Sequence, residues 1–160
     1  MAAKTVSAKT TPEAEIRSFT ASFSPEVQKL FRSLRSAVRK RMPAANELVY
    51  VYNAIFVIGY SATENGVDGL LSIWVRADEV RLYFGHGKKL KDPKKLLMGT
   101  GTTTRFIPIE SASRLKHPDV EAFIAAEITH SIVPLPAKGK GKVIIRSVLG
   151  KQPARRKAKK

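Results

Sequence analysis

Val80-Arg81-Leu82-Tyr83-Phe84-Gly85-His86-Gly87 alternates apolar and polar side chains and then stops at a Gly-x-Gly turn. That alternation is the signature of a strand with one buried face. Just upstream, Gly69-Leu70-Leu71-Ser72-Ile73-Trp74-Val75 has the same character, and Arg76-Ala77-Asp78-Glu79 is a short polar link between the two. Together they read as a β-hairpin, the clearest local pairing in the chain. Downstream, Asp92-Pro93 opens a short helical turn, Gly99-Thr100-Gly101 supplies a second Gly-x-Gly turn, and Arg105-Phe106-Ile107-Pro108-Ile109 reads as a further strand. Pro108 marks it as an edge strand or a strand end, because proline has no N–H to give to a neighbour.

Working outward, residues 47 to 60 are rich in Val, Ile, Tyr and Phe and read as two strands bent around Asn53, followed by a loop over 61 to 68 that contains Asn65-Gly66. Helical signals flank this run. Thr11-Pro12-Glu13 places an N-cap Thr before a Pro at the first helical position, for a short helix that buries Ile16 and Phe19. Ser24-Pro25-Glu26 repeats the signal, and Val27, Leu30, Phe31, Leu34 and Val38 recur at helical spacing up to a stop before Pro43. The opposite face of that helix carries Lys29, Arg32, Arg35, Arg39 and Lys40, with Arg41 at its end. A last helix starts near His117-Pro118-Asp119 and is expected to bury Val120, Phe123, Ile124, Ile128 and Ile132 before Pro134 and Pro136. The fold class expected is α+β, an antiparallel β-sheet flanked by N-terminal and C-terminal helices and covered on one face.

The chain has 160 residues, 43% of them hydrophobic and 26% charged, which suits one domain with polar ends. It contains no cysteine, so disulfides, thiolate metal sites and cysteine nucleophiles are excluded, in keeping with a reducing cytoplasm. No apolar run approaches the roughly 20 residues of a membrane helix. Residues 1 to 12 carry no apolar segment of the kind a signal peptide needs, and the expected location is cytoplasmic.

The net charge is +16, with ten basic and no acidic residues over 137 to 160, against 17 basic and 13 acidic over 11 to 136. The organisation expected is therefore a disordered leader at 1 to 10, a domain at 11 to 136, and a basic, mostly disordered tail at 137 to 160. Within the tail, Val143-Ile144-Ile145 and Val148-Leu149 are apolar enough to dock on the domain as a short strand or patch.

These pieces occur together over residues 24 to 132: an amphipathic helix ending near a Pro, Glu47 after it, a Tyr-rich segment, the Tyr83-Phe84-Gly85 turn, the Leu96-Leu97-Met98-Gly99 turn and Arg105. In that combination the chain resembles the YdhG-like family, domain of unknown function 1801, most of whose members have no assigned activity. Residues 50 to 56 depart from the resemblance, lacking the Gly and Pro expected of many relatives between the first two strands. The resemblance implies a YdhG-like α+β fold and, because one member is described as a frataxin-like iron chaperone, iron as one ligand to consider. Asp78-Glu79 is the only adjacent acidic pair, however, and hard iron sites call for clustered carboxylates.

Candidate sites follow from residue chemistry. Lys88, Lys89, Lys91, Lys94, Lys95 and Arg105 surround the two Gly-x-Gly turns, which either bind an anion through Gly85, Gly87 and neighbouring N–H groups or are ordinary solvated turns. Neither turn continues into a P-loop or dinucleotide fingerprint. Arg105 can fork onto a carboxylate or phosphate ligand, or pair internally with Glu110 or Asp92. Tyr50, Tyr52, Tyr60, Trp74 and Tyr83 line either a pocket on one sheet face or the core. His86, His117 and His130 are widely spread, and the pairs His117/Glu121 and Glu127/His130 read as helix-surface neighbours, so no metal site is assigned. No catalytic constellation assembles, and an enzyme is not expected.

Two functions remain. The first is a non-enzymatic ligand-binding or chaperone-like module that acts on an unknown ligand or protein partner through Trp74, Tyr83, Gly85, Gly87 and Arg105. The alternative is non-specific nucleic-acid association through Lys138, Lys140, Lys142, Arg146, Lys151, Arg155, Arg156 and Lys157, together with the basic helix face.

Overall fold

A computed structural model describes residues 10 to 149. Most of the leader expected at 1 to 10, and the tail candidates Lys151, Arg155, Arg156 and Lys157, lie outside them.

Helix α1 (Pro12–Thr20) begins where Thr11 Oγ1 accepts the Ala14 N–H at 3.1 Å. Helix α2 (Pro25–Arg41) begins the same way, with Ser24 Oγ accepting from Val27 N–H at 3.2 Å. Each cap stabilises its helix by about 1 kcal/mol. Five strands follow: β1 (Asn46–Tyr52), β2 (Ile55–Ser61), β3 (Gly69–Arg76), β4 (Glu79–Phe84) and β5 (Arg105–Pro108). The β1–β2 bend falls at Asn53, which takes a positive φ of 53°, a conformation that Asn tolerates better than most residues. After a 3₁₀ segment at Ala112–Lys116 come α3 (Pro118–Thr129) and β6 (Val143–Leu149).

The sheet has six strands in the order β5-β4-β3-β2-β1-β6. Strands β1 to β5 form an antiparallel meander, but β6 lies parallel to β1, with Glu47 opposite Val143 and Val49 opposite Ile145. The sheet is therefore mixed, which corrects the all-antiparallel expectation. The folded body also runs past Pro136, since residues 143 to 149 are a strand of the same sheet. The reason is local. Gly141 N–H donates to Pro43 O at 2.9 Å, and a Cβ at residue 141 would lie 1.8 Å from Ala45 O, so only glycine lets the returning chain pass this close. Lys142 N–H then donates to Asn46 Oδ1 at 2.9 Å and Glu47 N–H to Lys142 O at 2.7 Å, which brings the Val143-Ile144-Ile145 run alongside β1.

Alternation along the strands separates two faces. One carries Val49, Phe56, Ile58, Tyr60, Leu71, Ile73, Val75, Val80, Leu82, Phe84 and Ile107, which form a common core with Ile16, Phe31, Leu34, Val38, Val120, Phe123 and Ile124 of the helices. Phe31 meets Phe56 edge-on at 5.3 Å between ring centroids, and Phe123 meets Phe84 at 5.7 Å. Ile132, expected in the core, is 87% exposed. Helix α3 ends at Thr129, so Ile132 lies beyond the last turn and off the helical stripe. Ile128 packs on the core only in part.

One charged cluster is built into this interface. Glu47 on β1 is 2% exposed, and its carboxylate accepts two hydrogen bonds from Arg35 (Nε 3.0 Å, Nη2 2.8 Å) and one from the buried Tyr60 hydroxyl at 2.7 Å. Arg35 also donates to both Glu13 oxygens, at 2.8 and 2.7 Å. Burial opposes the Arg35 charge, but its hydrogen bonds to Glu13 and Glu47 outweigh it and raise its pKa. The Arg35 hydrogen bond in turn lowers the Glu13 pKa.

Glu47→Ala should lower unfolding free energy in urea by about 1–3 kcal/mol, because it leaves the buried Tyr60 hydroxyl and one side of the Arg35 guanidinium without an acceptor while Glu13 stays paired; no measurable loss would count against the cluster. Glu13 acts in the acid range. Its folded pKa lies below its ordinary value of 4.5, so the stability it supplies is complete above that value and is lost as pH falls through the lowered one. Glu13→Gln should make the melting temperature less sensitive to acid in that window than it is in the parent protein.

Candidate ligand-binding site

The face opposite the helices carries Tyr50, Tyr52, Trp74, Tyr83 and Phe106 of the strands. Cross-strand register sets Ser72 opposite Tyr83, Trp74 opposite Arg81 and Tyr83 opposite Phe106. The rings form a continuous row, with centroids 4.8 Å apart for Trp74 and Tyr83 and 5.0 Å for Tyr83 and Phe106. The Arg81 guanidinium sits 4.1 Å above the Phe106 ring, donates to the Tyr83 hydroxyl at 3.0 Å and pairs with Glu79. Farther along the same face, Tyr50 and Tyr52 stack at 6.1 Å. Trp74, Tyr83 and Phe106 are half-buried. Tyr60, grouped with them by composition, is instead fully buried on the helix side and bonded to Glu47.

Two loops rise on either side of Trp74 and Tyr83. One runs through the 3₁₀ turn Gly66–Asp68, the other contains Thr103 and Thr104, and between them lies a concavity of about 410 Å³ with Ser72 and His86 on its wall. The sequence candidates Trp74, Tyr83 and Gly85 all line it. Gly87 and Arg105 do not, and each has another job. A Cβ at Gly87 would lie 2.5 Å from Arg105 Cβ, and one at Gly85 would lie 2.7 Å from Gly69 O, so these glycines let the turn after β4 press against β3 and β5.

Arg105 does not make the internal ion pair with Glu110 or Asp92. Its Nη1 donates to the carbonyls of Gly101 (2.6 Å) and Thr104 (2.7 Å), which fixes the loop that forms one wall. Asp92 instead accepts the Leu96 and Leu97 N–H groups, both at 2.8 Å, and Glu110 pairs with Arg114. Lys88 N–H donates to Thr103 O at 2.9 Å, tying the same loop to the turn after β4.

The most informative group was not legible as a site in the sequence. Glu127, on α3, is 0% exposed, and its carboxylate accepts the His86 backbone N–H at 3.0 Å and meets His86 Nδ1 at 2.6 Å. Glu127 is thus not a surface partner of His130. Burial raises its pKa, against the opposing pull of the His86 hydrogen bonds. His86 also lines the concavity, so the buried carboxylate fixes one of its wall residues. His130 stands beside His86, 6.0 Å between ring centroids. The other expected pair also separates: His117 Nδ1 accepts from Asp119 N–H at 3.2 Å as the α3 cap, and Glu121 pairs with Arg41 at 2.8 Å.

The described part of the basic segment is bound into the domain. Lys142 pairs with Glu64 at 2.9 Å, Arg146 sits at the register shift between β6 and β1, and Lys140 joins Arg32, Arg35, Ser36, Arg39 and Lys40 around a groove of about 600 Å³. Lys138 is exposed.

Iron finds no matching donor set. Among the described residues, no three His, Asp or Glu gather in a way that could hold a metal ion. Glu47, Glu127 and Asp92 already accept hydrogen bonds from Arg35 and Tyr60, from His86, and from two peptide N–H groups. Among the described residues, no helix is long and apolar enough to cross a membrane. Comparison with protein-family models, with curated proteins and with solved structures gave no match.

Arg105→Ala should speed amide exchange at Lys88 and across residues 101 to 104, at a stability cost of about 1 kcal/mol, because two carbonyls at an exposed loop lose one donor. Exchange unchanged in that loop would show that Arg105 does not hold the wall.

Proposed function

We propose that the protein is a non-enzymatic, cytoplasmic ligand-binding module whose site is the concavity over Trp74 and Tyr83, and that it takes a small planar ligand with a hydrogen-bonding edge. The observation that carries this reading is the concavity itself: an aromatic floor, two loop walls with Thr103 and Thr104, and a histidine held in one orientation by a buried carboxylate. Its volume of about 410 Å³ falls in the range of small-molecule sites. Rings stack on the faces of planar groups, hydroxyls and an imidazole read their edges, and Arg105 positions one wall without touching the ligand. The groups around the concavity suit recognition more than bond-making. Trp74, Tyr83 and Ser72 offer ring faces and hydroxyls, and His86 is held by Glu127. The resemblance of residues 24 to 132 to the YdhG-like family belongs to the same reading; the iron ligand it implies does not, for want of donors.

Trp74 is the only tryptophan, so its emission reports on this site alone. Titration with adenine, cytosine and uracil should quench or shift that emission saturably for at least one of them. Tyr83→Ala should weaken the bound probe by about tenfold or more, corresponding to the 1–3 kcal/mol typical of a base–aromatic stack, and His86→Ala should alter the ranking of the three probes. Emission unmoved by all three up to millimolar concentration would count decisively against the concavity as a planar-ligand site.

A further inference from the structure

A second site lies outside the concavity. On α2, Arg32, Ser36, Arg39 and Lys40 stand at i, i+4, i+7 and i+8, so they share one face and extend about 12 Å along the helix axis. Lys140 reaches the same groove because the Gly141 contact with Pro43 and Ala45 fixes the returning chain there. Glu47 and Glu13 neutralise Arg35 and share Arg39, at 3.4 and 3.8 Å. Arg32, Lys40 and Lys140 are exposed and pair with no carboxylate among the described residues. Part of the surplus charge, on Arg32, Lys40 and Lys140, is therefore held on α2 and on the docked entry to β6.

We infer that this groove seats the phosphate backbone of double-stranded DNA. Charge complementarity selects a polyanion, because the lining is basic, carries no carboxylate and belongs to a chain of net charge +16. The lining selects a duplex over a single strand. It consists of Arg, Lys, Ser and Pro with no aromatic ring, and a single strand needs rings to stack its bases whereas a duplex keeps its bases to itself. Arg35, held at both ends by carboxylates, keeps the groove in shape without being drawn into solvent. Binding here is independent of sequence, since no group in the lining is placed to read a base edge through a groove.

The test uses the full chain and a short fluorescein-labelled duplex, followed by anisotropy from about 50 to 200 mM salt. The triple variant Arg32→Gln, Lys40→Gln, Lys140→Gln changes only exposed side chains and should keep the parent melting temperature. Its plot of log affinity against log salt should be shallower by about 3, with affinity lower by about tenfold or more near 100 mM salt. Two charge-matched controls carry the discrimination. Lys88→Gln, Lys89→Gln, Lys91→Gln alters the exposed lysine loop, and Arg155→Gln, Arg156→Gln, Lys157→Gln alters the basic end of the chain. Either control weakening duplex binding as much as the groove variant does would overturn the groove and leave diffuse charge. So would tighter binding of the single strand than of the duplex, or no binding by the parent at about 50 mM salt.

Discussion

Glu47 is the constraint around which the rest of the structure is arranged. A carboxylate that is 2% exposed persists only if it is paired and hydrogen-bonded, and Arg35 and Tyr60 fill that requirement from α2 and β2 while Arg35 reaches on to Glu13 of α1. The guanidinium thus links α1, α2 and β1, and the Glu47 carboxylate adds β2 through Tyr60. The apolar stripes of α1 and α2 supply most of the burial energy, but greasy contacts alone leave a helix free to slide or rotate on a sheet. A buried bidentate pair does not, because any slip leaves a charge without its partner. The orientation it imposes sets the basic face of α2 beside the chain that returns at Lys140.

Glu127 repeats the device on the other half of the sheet. It is as buried as Glu47, but it is satisfied by one residue, through the backbone N–H and the ring of His86. That ties α3 to the turn after β4, and with it the loop whose Thr103 carbonyl accepts from Lys88 N–H. Both candidate sites therefore sit beside a buried carboxylate that fixes a helix to the sheet. Their chemistries differ: rings and hydroxyls over Trp74, cations without rings along α2.

How much of this was legible in the sequence depends on the distance between partners. The β3–β4 hairpin, the caps at Thr11 and Ser24, and the stripe of Val27, Phe31, Leu34 and Val38 are encoded within a few residues of themselves, and all are found. For the aromatic residues the sequence left a pocket and the core as alternatives; Trp74 and Tyr83 line one cavity together with Gly85, and Tyr60 lies in the core. The parallel pairing of β6 was not legible, because it depends on Gly141 fitting against Ala45 nearly a hundred residues away. Glu127 and His86 lie 41 residues apart, on a helix and a turn with no shared motif. Arg105 misled for another reason: its partners are backbone carbonyls, which every residue has and no sequence pattern marks. A carboxylate close to an arginine in sequence is visible on paper, and a carbonyl aimed at it is not.

Aromatic residues in strands usually face a core, as Phe56, Tyr60 and Phe84 do here. Tyr60 and Trp74 show what decides between the two outcomes. Both lie on central strands, but Tyr60 falls in the register of Phe56 and Ile58, and Trp74 falls in that of Ser72 and Arg76. A ring on the face without helices must find cover elsewhere, and here it is found sideways, Trp74 on Tyr83, Tyr83 on Phe106 and Phe106 beneath Arg81. Lateral packing of this kind holds each ring to one orientation, and Trp74 and Tyr83 line the concavity. Little side-chain entropy then remains to be lost when a flat group settles there, and that preorganisation is what separates a binding surface from an exposed apolar patch.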